Sequence, residues 1–514
     1  MDLVKNTIVP GMQKFLFGEG EAELKPSDAG VLVADRKFKY SSLAVDILKL
    51  LGNHSGYKGR YVLRLKDNEA APVTLQLYFK VTMEYLGMEF TTYSPAESVC
   101  VGPGEWSVLE GCWSMIEGAV LSKIILYFIQ EQEETFPEIE IRELSVEGGA
   151  FLQQITSKVK LPAIERSEKT TFGVIRWDAY FNSDFSGSDV SRQVARALSP
   201  AHYHFMAPYF SQVKGKDTLV FGDADQEQFD QEALLAIEAG IDYFAYCWYG
   251  ETDAMSYARH QHRVSQYRDK IKMCAIINVY RLDANTMAEL YDCMQQSYYF
   301  TISGRPVLFI YDGFRFSAEK IKEIKKEAAV AGVKQPIYFV ALAGTGNPAI
   351  LSSLLDNGFE AVSAYSCGAQ STGEPYRALC AWDRSVDAMK YQYSDRIGVI
   401  PHITCGRDTR PRLENPVSWA GNYGGHYTVT GTPEEIYAHA AEVLGEIRKH
   451  PEKNMPNSVL VYAWNEHDEG GWCCPTLKVD QQGRPLKDAN GKNRMNTAHL
   501  DALAKALKEH REQE

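Results

Sequence analysis

Residues 458–472 read SVLVYAWNEHDEGGW. SVLVYA is a short apolar run rich in β-branched residues, a strand buried on both faces. It runs into an aromatic, an amide and then Glu466, Asp468 and Glu469. Carboxylates this close repel one another, so a fold keeps them either as a solvated acidic loop or for chemistry. Which reading holds depends on where the rest of the chain places the end of this strand.

Seven earlier runs share its character. They are FGVIRW from Phe172, IDYFAY from Ile241, IKMCAIIN from Ile271, RPVLFIY from Arg305, PIYFVAL from Pro336, FEAVSAY from Phe359 and IGVIPH from Ile397. Amphipathic stripes lie between them, among them Phe229/Ala233/Ala236/Ile237, Met287/Leu290/Tyr291/Met294 and Ile436/Ala440/Val443/Leu444/Ile447. Their spacing is that of helices burying one face. Gly240, Gly332 and Gly358 stand where helices end, each just ahead of a strand. Eight strand-helix repeats predict a (β/α)8 TIM barrel over residues 171–514. A doubly wound sheet is disfavoured, because Arg176-Trp177-Asp178 follows the first strand where a glycine-rich phosphate loop would stand.

Upstream the rhythm differs. YVLRLK, VTLQLYFKV, EFTTYS, SKIILYFI and EIEIRELSV follow one another without helical stripes, which predicts an antiparallel β-sandwich over residues 1–155. The polar stretch 156–170 reads as a linker.

The chain has 514 residues, too many for one ordinary core. Its formal charge of −13 argues against nucleic acid or an anionic membrane surface as partner. No apolar run is long enough to span a bilayer. The N-terminal residues lack a secretory pattern, so the expected location is cytoplasmic, or periplasmic or extracellular if a signal was removed. The ten cysteines show no CxxC pair. The H-x-H pairs His202/His204 and His260/His262 lie off the strands, so neither a metal site nor a cofactor is expected.

A barrel of this kind builds its site from the C-terminal strand ends. Those ends supply Trp177, Asp178 and Tyr180; Tyr246, Trp248 and Tyr249; Tyr311 and Asp312; Tyr365; and His402 with the basic loop carrying Arg407, Arg410 and Arg412. The last contributes Trp464, Asn465, Glu466 and Glu469, with Trp472 just beyond. Aromatic faces with a few acids suit an oligosaccharide or polysaccharide, rings meeting sugar C–H groups and carboxylates moving protons. Asp178 and Asp312 could equally cap helices. Glycoside cleavage commonly needs two carboxyl groups. Residues three apart on a regular strand face opposite ways, so Glu466 and Glu469 can cooperate only if the chain turns between them, as Gly470-Gly471 suggests. Close approach would raise one pKa toward the range of a general acid.

WNEHDEGGWCCP, residues 464–475, resembles the W-N-E-W-x-E-G-x-x-x-E-P signature of glycoside hydrolase family 99 and its family 71/99-like and WbsX-like relatives. DQEALLAIEAGIDYFAYCWYG, GRPVLFIYDG and GRDTRPR resemble three further family segments, in the family's order. The resemblance implies endo-acting hydrolysis, with retention, of an α-mannosidic or similar linkage. Glu466 would deprotonate the sugar's own 2-hydroxyl to give a 1,2-anhydro sugar, and Glu469 would act as acid and then base. His467, Asp468, Cys474, Arg407 and Arg410 depart from the pattern. The sandwich resembles, in pattern only, the jelly-roll carbohydrate-binding modules, with Trp106 and Trp113 as candidate platforms. A glycosyltransferase-like barrel and a non-catalytic glycan-binding barrel are the alternatives. The first would need a phosphate or D-x-D site, for which only Asp223–Asp225 offers a string.

Overall fold

The computed structural model describes residues 4–7, 23–27, 30–34, 40–46, 56–66, 73–85, 88–114, 119–129, 138–148, 155–180, 189–222, 225–250, 255–278, 283–313, 316–369, 371–421 and 423–514. The chain divides into two compact units, 1–156 (with 347–349) and 157–346 plus 350–514.

The first unit is built of antiparallel strands in two sheets. One joins Val4–Thr7, Glu23–Ser27, Gly30–Ala34, Gly56–Leu65, Ser107–Ser114 and Ile139–Gly148; the other joins Tyr40–Asp46, Val73–Tyr85, Met88–Val101 and Ala119–Ile129. The first two strands, VKNT and ELKPS, escape a hydrophobicity scan because they are short and carry charge. Trp106 is not an open platform. The guanidiniums of Arg64 and Arg142 each lie 4.6 Å from its ring centroid. The Trp113 side chain lies outside the described residues.

Residues 156–170 carry no regular secondary structure. The second unit then alternates strand and helix. Its sheet contains β1 (Thr171–Arg176), β2 (Tyr243–Cys247), β3 (Lys272–Ile277), β4 (Arg305–Tyr311), β5 (Tyr338–Leu342), β6 (Ala361–Ser363), β7 (Gly398–Val399), β8 (His402–Thr404) and β9 (Ser458–Tyr462). The pairing among these nine is parallel, in the order β7-β6-β5-β4-β3-β2-β1-β9-β8, so the sheet curls in the manner of a TIM barrel, and Thr301–Ile302 adds to β4 antiparallel. β7 and β8 flank Ile400 and Pro401. Ile400 N donates to Val362 O on one side, and Leu460 N donates to Pro401 O on the other. Proline has no N–H for the ladder, which is why this run reads as two short strands.

Helices follow every strand except β7: α1 (Gln226–Glu238), α2 (Ser256–Val264), α3 (Ala284–Met294), α4 (Ala318–Val330), α5 (Pro348–Asn357), α6 (Tyr376–Tyr391), α7 (Pro433–Lys449) and α8 (Ala498–Arg511). Asp225, Asp283 and Ser317 cap three of them by accepting from backbone N–H groups, and Thr432 with Glu435 forms a capping box. The strands are buried along nearly their whole length. That explains their unbroken apolar runs, each large side chain contributing roughly 1.5–3 kcal/mol on burial.

Candidate active site

The hairpin after β9 decides what the acids do. Asn465 pairs with Trp472 and Glu466 with Gly471, and His467–Glu469 make one turn of 3-10 helix between them. In such a turn residues three apart eclipse, so Glu466 and Glu469 face the same way although a strand would have split them. Gly470 closes the turn in the left-handed region at φ 76°. A side chain there would overlap the Asp408 backbone, and one on Gly406 would overlap the Gly470 carbonyl. These two glycines let the 405–412 loop lie directly against the hairpin, which brings Arg407 and Arg412 to the glutamates.

Both carboxylates open into one cavity of about 370 Å³. Trp177, Tyr249, Tyr311, Tyr365 and Trp419 give it aromatic walls, and Cys247, Asn278, Ser366, Arg407 and Arg412 add polar atoms. Glu466 is 3 % exposed and accepts from the Tyr365 hydroxyl. Burial pushes its pKa up to about 7, against the pull of Arg412 and the Tyr365 hydrogen bond. Glu469 pairs with Arg407 and Arg412, and Tyr462 donates to it at 2.8 Å. Arg412 also grips Asp468, with Nε to Oδ2 at 2.7 Å and Nη2 to Oδ1 at 3.1 Å, and stands 3.9 Å from Glu466. Its guanidinium lies 5.3 Å from the Trp177 ring and 5.8 Å from that of Trp419. Arg410 turns away to Asp408. All three arginines of the loop therefore meet carboxylates of the chain itself.

Of the residues named from strand ends, Trp177, Tyr249, Tyr311, Tyr365, Arg412, Glu466 and Glu469 line the cavity. Asp178, Tyr180, Tyr246, Trp248, Asp312, His402, Trp464, Asn465 and Trp472 are not among its lining residues. Most of these serve buried networks. Arg176, 1 % exposed, is bonded to Asp178 at 2.8 Å and to Glu232 at 2.9 Å. Asn465 donates to the same Asp178, and Trp464 to the same Glu232. Burial raises the Asp178 pKa to about 6 even with Arg176 beside it. Tyr180 donates to the Asn465 carbonyl and accepts from His467 N, which fixes the hairpin from behind. Tyr246 bonds His262, Trp248 stacks under Arg259, and Trp472 stacks on His499. His402 lies between Asp383 and Asp387. Asp312 sits at φ 51° just past β4.

The second histidine of each H-x-H pair is engaged with the fold. Both ring nitrogens of His204 face carbonyls, and His262 meets Tyr246 and the Ile271 carbonyl. Asp223 and Ala224 of the D-x-D string lie outside the described residues. Cys247 and Asn278 are cavity residues that a list of strand-end aromatics and acids passes over.

No protein-family model matches the chain, and no curated protein matches it by sequence. Among solved structures, it is similar to a GH99 endo-alpha-mannosidase from Bacteroides thetaiotaomicron in complex with BIS-TRIS-propane. That match has 16% identity and a TM-score of 0.42, and covers 66% of this chain and 97% of that one. A second structure of a GH99 endo-alpha-mannosidase from that organism gives 14% identity and a TM-score of 0.40 over the same shares. A CBM22-1 xylan-binding domain from Paenibacillus barcinonensis gives 14% identity and a TM-score of 0.23, covering 29% of this chain and 97% of that domain. Likenesses at this level carry no activity over to this chain. No helix among the described residues is long and apolar enough to cross a membrane.

Proposed function

We propose that the second unit is a closed (β/α)8 barrel, residues 398–404 forming one strand interrupted at Pro401, and that it is a retaining glycoside hydrolase. Its substrate is an α-linked glycan, manno-configured or related, cut internally. The observation that carries this reading is the pair Glu466 and Glu469 opening into one aromatic-walled, sugar-sized cavity. The sequence likeness of the 464–475 motif supports the route.

In the first step Glu466 takes the proton of the 2-hydroxyl, and O2 attacks the anomeric carbon. The bond from that carbon to the leaving oxygen breaks, and Glu469 protonates the leaving oxygen. Water then attacks the anomeric carbon of the 1,2-anhydro sugar while Glu469 takes its proton. The C1–O2 bond opens, and Glu466 returns a proton to O2. Two inversions give net retention. A carboxyl poised near neutral pH suits a group that both takes and returns a proton, and Glu466 has that poise.

Glu469 rests between the guanidiniums of Arg407 and Arg412. A second reading exchanges the two roles, and the guanidinium contacts of Glu469 favour it. The first unit's paired sheets are read as a sandwich that buttresses the protein or binds glycan.

The test is incubation of the full chain with α-mannans, α-glucans and bacterial polysaccharides, following release of reducing ends. Release from at least one α-linked polymer is expected. None across the panel overturns the reading.

A further inference from the structure

Behind the cavity wall lies a second cluster that hydrolysis does not use. Cys367, four residues past β6, Asp383 on α6 and His402 at the start of β8 bring donor atoms within 4.8 Å of one another. His402 Nε2 stands 3.2 Å from Asp383 Oδ1 and 3.5 Å from Cys367 Sγ. Around tetrahedral zinc, with the usual bond lengths to sulfur, nitrogen and oxygen, the N–O and N–S edges span roughly 3.3 and 3.6 Å. The observed separations have that size.

Two further observations point to a missing ligand. Asp383 is fully buried, and neither of its carboxylate oxygens has a hydrogen-bond partner among the described residues. The nearby Nε2 approaches it without hydrogen-bond geometry. A buried carboxylate left so is costly unless a cation meets it. His402 also turns its other nitrogen, Nδ1, to both oxygens of Asp387 at 3.2 and 3.1 Å. Metal-binding histidines are held by this kind of carboxylate partner, which fixes the tautomer and leaves Nε2 free to ligate.

We propose that Cys367, Asp383 and His402 form a zinc site that pins α6 to the strand ends of β6 and β8, with Asp387 orienting the histidine. The charges balance. A thiolate, Asp383 and Asp387 supply three negatives, and zinc with the buried Lys390, 3.3 Å from Asp387, supplies three positives. Binding releases the thiol proton to solvent, and His402 ligates through its unprotonated Nε2; nothing is oxidised or reduced. A mixed S, N and O donor set suits zinc better than magnesium or calcium, which prefer oxygen alone. Asp383 and His402 are closed to solvent while Cys367 is half-buried, so the ion enters on the cysteine side. The sequence hides this cluster, because its members lie on three separate elements with no short spacing between any two. The inference is independent of the hydrolase reading.

The test strips the full-length protein of metal with a chelator and titrates it with zinc against a chromophoric competitor. One zinc per chain is expected, with a thermal midpoint that rises with free zinc. Cobalt in its place should show a thiolate-to-metal charge-transfer band. Asp387→Asn should weaken zinc by roughly 10- to 100-fold, and Cys367→Ser should abolish the cobalt band. Absence of stoichiometric zinc, absence of the band in the wild-type protein, or unchanged affinity in Cys367→Ser overturns the proposal. The cobalt spectrum of the wild-type chain reads thiolate ligation even if a variant fails to fold.

Discussion

Glu466 and Glu469 lie across one 3-10 turn from each other and share Arg412, which holds Glu469 closely but stands 3.9 Å from Glu466. One carboxylate is thus firmly paired, while the other is buried beside a tyrosine and drawn toward its neutral form. Two carboxyl groups held in different surroundings around one hollow are what acid-base chemistry requires.

Replacing either group with its amide tests this directly. Glu466→Gln and Glu469→Gln should each lower kcat by roughly 10²- to 10⁴-fold, with circular dichroism unchanged. Full activity in either variant removes that residue from the mechanism. An activated aryl leaving group should restore turnover only to the variant that lacks the acid, which separates the two role assignments.

Glu466 also makes stability depend on pH. Its folded pKa of about 7 lies above the ordinary carboxylate value of 4.5. Its contribution to stability is therefore complete below about pH 4.5 and lost as pH rises through 7. Glu466→Gln lacks this dependence, so it should gain on the wild type by on the order of 1–3 kcal/mol between those limits. Urea midpoints at pH 5 and pH 8 check this, and a constant difference contradicts it.

The turn itself can be broken. Gly470→Ala adds a methyl at φ 76° into the Asp408 backbone, while Gly491→Ala at φ 78° meets open space. The second change should cost about 1–2 kcal/mol, the usual left-handed penalty. The first should cost clearly more and remove activity as the Arg412–Glu469 contact opens. Equal losses in denaturant midpoint would contradict the packing described.

Arg176 holds two buried acids. Arg176→Met leaves Asp178 and Glu232 without their cation and should destabilise the protein by about 3–5 kcal/mol. A change under 1 kcal/mol in urea unfolding would mean that the network is not paired as described.

Much of this was legible in sequence, through periodicity. All eight apolar runs contain strands of the curled sheet, because a sheet covered on both faces demands continuous apolar sequence. Strand-end positions were harder, since alternate residues point opposite ways. Cys247 and Tyr249 face the cavity, whereas Tyr246 and Trp248, which alternate with them, face buried partners. Aromatic content alone selects the wrong half of such a stretch; register selects the right one. Gly470-Gly471 was readable as a turn. The close approach of Gly406 to that turn was not, because it depends on where two loops from different strands meet.

The mechanism stands on net retention through two displacements at the anomeric carbon. Proton NMR of the first product released from an α-linked glycan measures it directly, before mutarotation mixes the anomers. An α-configured first product is predicted, and a β-configured one would contradict the mechanism.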